Sequence, residues 1–210
     1  MPEANKNPDK TSINTVIIDT GCANLSSVRF ALQRLGDTPL ITADPELIRQ
    51  ARRVILPGVG SARAAMQALS AKGLDTLIPT LTQPVLGVCL GMQLMCRQSS
   101  EGNATVPCLG IIDTEVTELC SGELPLPHMG WNAITPTSHP LFAGIGTQDY
   151  LYFVHSYCAP PGDFTLASCD YGQVFSAAIG RDNFMGVQFH PEKSAAAGAL
   201  ILKNFLEMSA

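Results

Sequence analysis

Few conformations are open to the stretch between Pro84 and Cys96. The apolar Pro84-Val85-Leu86 leads into Gly87-Val88-Cys89-Leu90-Gly91, and Gly91-Met92-Gln93-Leu94-Met95-Cys96 has the texture of a helix. A buried strand that turns at once into a helix, through a turn flanked by glycines, is the geometry of a nucleophile elbow. A side chain at either glycine would crowd a turn whose central residue is held in a strained conformation. That central residue is Cys89, with its sulfur at the start of a helix, where partial positive charge favours an anionic nucleophile.

The rest of the first half repeats strand and helix in alternation. Thr15 to Asp19 reads as a buried strand, and a helix follows with Leu25, Val28, Leu32 and Leu35 on one face. Pro39 to Thr42 is a weak strand and Pro45 to about Ala51 a helix. Arg53 to Leu56 is a third strand, closed by Pro57-Gly58-Val59-Gly60. Ser61 caps a helix carrying Ala65, Met66 and Leu69, and another helix runs from about Leu74 to Leu81. Val85 to Val88 is the fourth strand, and the helix after it is expected from Met92 to about Gln98. This alternation predicts a single α/β domain with a mainly parallel central sheet flanked by helices. After Gly110 short strand-like runs take over: Met129 to Ile134, Tyr150 to Ser156, Thr165 to Ala167, Phe175 to Ile179 and Met185 to Phe189. They are expected to add antiparallel strands in the C-terminal half, with a last helix from about Ala195 to Glu207.

Residues 1–13 are polar, interrupted by Pro2 and Pro8, and lack the apolar run of a secretory signal. They read as a flexible extension to a domain at 14–210. The net charge is -5 with no basic run, which argues against a nucleic-acid surface. No apolar run approaches the roughly 18 residues of a membrane span. The seven cysteines are scattered and form no Cys-x-x-Cys pair. Neither a disulfide framework nor a zinc site is expected, no cofactor is expected, and a reducing cytoplasm is the expected location.

A glycine-flanked cysteine alone is a weak signal, and three further features strengthen it. His190-Pro191-Glu192 places an imidazole and a carboxylate two residues apart, on one side of an extended chain. Glu192 can then hold the imidazole tautomer that takes a proton from Cys89, which makes a Cys-His-Glu triad for acyl transfer. Pro57-Gly58-Val59-Gly60 follows a strand parallel to the one before Cys89, so both end at one sheet edge, where catalytic loops gather. Backbone N–H groups of Gly58, Val59 and Gly60, with that of Leu90, could bind a tetrahedral oxyanion, each donor contributing roughly 3 kcal/mol. Gln93, one turn into the helix, either orients an amide-bearing substrate or faces solvent. Met92 and Met95 read as core filler.

Together these segments resemble the class I (triad) glutamine amidotransferases. Asp19 to Leu25, His128-Met129-Gly130-Trp131-Asn132, Tyr152-Phe153-Val154-His155-Ser156-Tyr157 and His190-Pro191-Glu192-Lys193-Ser194 narrow the likeness to the glutaminase subunits of imidazole glycerol phosphate synthase. The resemblance runs from about Asn14 to Met208. It implies that Cys89 attacks the side-chain amide of L-glutamine, that His190 is general base and acid, and that Glu192 orients it. Gln93 and backbone near Ser156 and Tyr157 would bind glutamine. It implies a heterodimer with a (β/α)8-barrel cyclase subunit, which takes the ammonia to make imidazole glycerol phosphate and aminoimidazole carboxamide ribotide in histidine biosynthesis. Asn24, Trp131, Tyr152 and Lys193 match positions at the interface with that partner. It also implies a switch, in which the Gly58–Val59 peptide turns into the oxyanion site only when the cyclase holds its own ligand. Rival readings are the same chemistry serving an anthranilate, pyridoxal phosphate or guanylate synthase, a free-standing γ-glutamyl hydrolase, and a non-catalytic binding module.

Overall fold

The structure is a computed structural model and describes residues 13–21, 25–102 and 104–209. In chain order the first half contains β1 (Thr15–Ile18), α1 (Leu25–Arg34), β2 (Leu40–Thr42), α2 (Pro45–Gln50), β3 (Arg53–Gly58), α3 (Ala62–Ala71), α4 (Leu74–Leu77), β4 (Val85–Cys89) and α5 (Leu90–Leu94). The strands β5 (Cys96–Ser99), β6 (Val106–Pro107), β7 (Ile112–Glu118), β8 (His128–Ala133) and β9 (Thr135–Pro136) follow. The chain ends with β10 (Tyr150–His155), β11 (Tyr157–Cys158), β12 (Thr165–Asp170), β13 (Val174–Arg181), β14 (Phe184–Val187) and α6 (Ala195–Glu207).

Among the described residues, eight strands form one sheet in the order β2-β1-β3-β4-β14-β13-β12-β9. The pairs from β2 through β14 are parallel, and β13, β12 and β9 continue antiparallel. The expected mixed α/β sheet is therefore present. Its central strands read as unbroken apolar runs because both faces are covered. Val16 and Ile18 pack on one side with Leu56, Leu69 and Val85, while Ile17 packs on the other with Leu86, Val88, Ile201 and Phe205. Ser61 caps α3 as expected, its hydroxyl accepting from the Ala64 N–H at 3.3 Å.

The register sets the site. Gly58 lies opposite Cys89, so β3 and β4 end level. Val187 lies opposite Val88, so the segment leaving β14 carries Gln188, Phe189 and His190 past the same edge. Beside that edge β8 and β10 form an antiparallel pair, tied to it by the His190 N–H donating to the Tyr152 carbonyl at 2.8 Å.

Two expected helices are shorter than their apolar spacing suggests. The helix after Cys89 stops at Leu94, and Cys96–Ser99 is a strand, paired with β7 and β6 in a four-stranded sheet completed by β11. Met92 and Met95 have helical spacing, but strand pairing decides the fate of Cys96 to Ser99. The partner β7 alternates buried and exposed residues at Ile112, Asp113 and Thr114, a period-two pattern also present in the sequence. Leu74–Leu77 is helical, and Ile78–Thr80 continues as a 3-10 turn around Pro79.

Candidate active site

Cys89 has the unusual backbone geometry φ 53°, ψ -112°, a conformation that costs free energy for a residue with a side chain. Its neighbours explain how it is held. A Cβ on Gly91 would collide with the Leu56 carbonyl of β3, and one on Gly87 would lie 2.7 Å from the Gly91 oxygen. The turn is thus clamped between β3 and β4 where only hydrogen fits. Gly58 is constrained too: a Cβ there would sit 2.7 Å from Gly91 N and 2.9 Å from Leu90 Cβ. The requirement for glycine at 58 is close packing, apart from any freedom to rotate. With five residues, α5 contributes little of the helix dipole expected at Cys89.

His190 and Glu192 are nearly sealed, with side chains 5% and 1% exposed, and His190 Nδ1 lies 2.9 Å from Glu192 Oε1. They meet across a 3-10 turn, Pro191–Lys193, and not along the extended chain that their i, i+2 spacing predicts. Proline has the right fixed φ for the first position of such a turn. Burial alone would lower the His190 pKa, but hydrogen bonds to Cys89 and Glu192, and their charges, outweigh it and push it up to about 9. The structure therefore brings Cys89 and His190 to one cleft, with Glu192 bonded to His190.

Cys89 and His190 open onto a cleft of about 320 Å³, within the range of small-molecule sites. Val59, Gly60, Leu90, Gln93, Ser156 and Tyr157 line it, as does Cys89. Gly58 lies behind that wall, against Leu90 and Gly91. Gln93 is buried and does not face solvent; its Nε2 donates to the Tyr157 carbonyl and to Gln188 Oε1, both at 2.9 Å. Trp131, Tyr152 and Lys193 form one cluster at the surface beside His190. Trp131 is half exposed and meets the Tyr152 ring edge-on at 5.9 Å, and Lys193 Nζ stands 5.8 Å from the same ring. Trp131 is thus a surface residue and not part of the core. Asn24 and Cys22 lie outside the described residues.

Three groups escaped the sequence reasoning. Glu101 lines the cleft, and its Oε2 accepts from the Ala62 N–H at 2.6 Å, tying the cleft wall to the start of α3. His128 Nδ1 and His155 Nε2 lie 3.0 Å apart in the core, and burial lowers their pKa to about 4 and about 3. His155 Nδ1 lies 3.0 Å from the Tyr157 carbonyl, so it carries the hydrogen. Gln188, fully buried, places Nε2 3.8 Å from Cys89 Sγ. A glutamine in the apolar run Met185 to Phe189 was the available signal, because a buried amide must find partners. Cys96, Cys108, Cys158 and Cys169 behave as small apolar residues: burial pushes Cys96 and Cys169 up to about 12 and Cys108 and Cys158 up to about 11.

The profile of the family "Glutamine amidotransferase class-I" matches residues 14–208. A protein of Shewanella loihica named imidazole glycerol phosphate synthase subunit HisH is 59% identical over 212 residues, covering 97% of this chain and 92% of that one. The Escherichia coli protein of the same name is 54% identical over 197 residues, covering 93% and 100%. Among solved structures, a putative GMP synthase component from Thermoplasma acidophilum superposes with a TM-score of 0.71 at 19% identity, over 92% of each chain. A glutamine amidotransferase from Thermotoga maritima gives 0.64 at 12% identity, over 94% and 99%. At such identities these structures speak for the fold alone, whereas the profile and the close relatives speak for descent. The chain belongs to the class-I glutamine amidotransferases and is an enzyme of that family.

Proposed function

We propose that the chain hydrolyses L-glutamine to glutamate and ammonia and passes the ammonia to a (β/α)8-barrel cyclase subunit. That subunit would make imidazole glycerol phosphate and aminoimidazole carboxamide ribotide in histidine biosynthesis. The observation that carries the reaction is that Cys89 and His190 share a cleft walled by Gln93, Ser156 and Tyr157, with Glu192 bonded to His190 Nδ1. The names of the close relatives support the partner and the pathway.

Glutamine enters with its side-chain amide over Cys89. Both Gln93 N–H groups are spent on protein, so only its Oε1 is left for a ligand, and it accepts from the substrate's α-ammonium. The Glu101 carboxylate on the same wall supplies complementary charge. Sγ, its proton taken by His190, attacks the amide carbon. N–H groups of Val59, Gly60 and Leu90, which line the cleft, receive the oxyanion, with Gly58 packed behind them. His190 returns the proton to nitrogen as the C–N bond breaks, and ammonia leaves. Water then attacks the thioester, giving its proton to His190; the C–S bond breaks, glutamate leaves and the thiol reforms. Glu192 keeps Nδ1 protonated throughout.

Free ammonia would be protonated in water near pH 7 and lose its lone pair. The cleft mouth is therefore covered by the cyclase, docked on Trp131, Tyr152, Lys193 and Asn24. The Gly58–Val59 peptide turns into the oxyanion site when the cyclase holds its ligand. The reading places the complex in the cytoplasm; no helix among the described residues is long and apolar enough to cross a membrane.

The test mixes the chain with the barrel cyclase, glutamine and the ribotide and measures glutamate. Release that rises steeply with the ribotide and vanishes in Cys89→Ser supports the reading. Equal release without the cyclase points instead to a free-standing hydrolase, and none in the full mixture refutes the reaction.

A further inference from the structure

Gln188 is fully buried and takes no part in the glutaminase steps above. Its partners say what it is for. The row of contacts begins at the Tyr157 carbonyl, which only accepts, so the Gln93 group facing it at 2.9 Å is the NH2. The same nitrogen lies 2.9 Å from one atom of the Gln188 amide, which must therefore be Oε1. Gln188 then turns its NH2 the other way, where it meets Cys89 Sγ at 3.8 Å. An amide orientation ordinarily open to a flip is here set by one backbone carbonyl. His155, whose Nδ1–H also faces that carbonyl at 3.0 Å, holds it from a second side.

The other contact matters as much. Sγ lies 3.9 Å from the Val154 carbonyl, which suits a thiol that donates S–H. When the proton passes to His190, that contact turns unfavourable while the contact with the Gln188 N–H strengthens. We propose that Gln188 is a second polar partner of the nucleophile, donating an N–H to the sulfur as negative charge develops there, with Gln93 and the Tyr157 carbonyl setting its direction. The same donor acts when the thioester collapses and sulfur departs as an anion. This rests on the glutaminase reading of Cys89.

Two substitutions separate the donor from mere packing. Gln188→Glu keeps the shape and the oxygen facing Gln93 but turns an oxygen toward the sulfur. Gln188→Met keeps the length and removes both polar atoms. The native titratable groups around the sulfur, His190, Glu192, His155 and Glu101, are kept in each; Gln188→Glu adds one carboxyl beside the sulfur, and Gln188→Met adds none. Alkylation of Cys89 by iodoacetamide, which needs no glutamine, is followed from pH 6 to 9 in the complex with the cyclase subunit, with Cys89→Ser as background.

In both variants the alkylation profile moves to higher pH. At pH 7 the rate falls about tenfold for Gln188→Met, the weight of one hydrogen bond to a charged group, and further for Gln188→Glu. Glutaminase kcat falls with it, while KM for glutamine stays within about threefold. Unmoved alkylation profiles in cooperatively folding variants overturn the proposal. If neither variant folds, Gln93→Met, which frees the Gln188 amide to turn, must slow alkylation, and no slowing overturns it as well. Failure of the glutaminase reading shows separately, as a wild-type complex that alkylates normally but releases no glutamate.

Discussion

Replacing Glu192 by glutamine removes one charge and almost no volume. In the native chain Glu192 Oε1 accepts from His190 Nδ1 at 2.9 Å, with both side chains nearly sealed from water. A hydrogen bond to a charged acceptor contributes about 1.5–3 kcal/mol, against about 1 kcal/mol for a neutral one. The loss of about 1–2 kcal/mol from the protonated state of His190 corresponds to roughly a fivefold to thirtyfold fall in kcat, at about 1.4 kcal/mol per factor of ten. The pH dependence carries a sign. His190 must hold a proton to release ammonia, and its pKa is pushed up to about 9 by Cys89 and Glu192 against the lowering effect of burial. Wild-type turnover should therefore persist until the pH rises through about 9, and in Glu192→Gln the alkaline fall should come earlier. Stability follows the same linkage. A raised imidazole pKa contributes stability that is complete below pH 6.5 and lost as the pH rises through about 9, and the variant should show less of this slope. The assay is glutamate release by the complex with saturating ribotide, from pH 6 to 10, beside urea unfolding at the same pH values. An unmoved alkaline limb with kcat within threefold of wild type would refute the role given to Glu192.

Other predictions rest on separate parts of the structure. Gly91→Ala drives a Cβ into the Leu56 carbonyl, which is backbone and cannot yield, so urea unfolding should show a loss of about 3 kcal/mol or no folded protein. Gly58→Ala, set against Gly91 N and Leu90 Cβ, should lower kcat at least tenfold while KM changes little, measured in the ribotide-stimulated complex. His128 and His155 are buried neutral, with pKa lowered to about 4 and about 3, so the stability they contribute is present above pH 6.5 and lost as the pH falls through about 4. The melting temperature of the wild type should drop on that acid side, and His128→Phe, stacked against Phe153 and Tyr171, should drop less.

The parts of the molecule legible in the sequence are those where local chemistry leaves no choice. Strands β1, β3 and β4 are apolar without interruption because both sheet faces are covered, and the glycines at 87 and 91 announce a turn that admits no side chain. Cys89, His190 and Glu192 could be paired because two of them share a short segment and the third sits at a recognisable turn. What escaped depends on contacts between distant segments. The helix expected to reach Gln98 ends at Leu94 because β5 finds partners at Val106 and Ile112, information that helical spacing of methionines does not hold. The burial of Gln93 required Gln188 and Tyr157, both far along the chain. His128 and His155 meet as cross-strand partners of β8 and β10, and Glu101 reaches the cleft by bonding to the N-terminus of α3. Each of these is a polar group whose partner the sequence cannot name until the fold supplies it.

The reactivity of Cys89 is most directly tested with an electrophilic glutamine analogue and peptide mass spectrometry of the cyclase complex. The label should appear on Cys89 and on none of the other six cysteines, and His190→Ala should slow its attachment at least a hundredfold. Labelling at another cysteine, or equal rates with and without the imidazole, would contradict the chemistry assigned to this cleft.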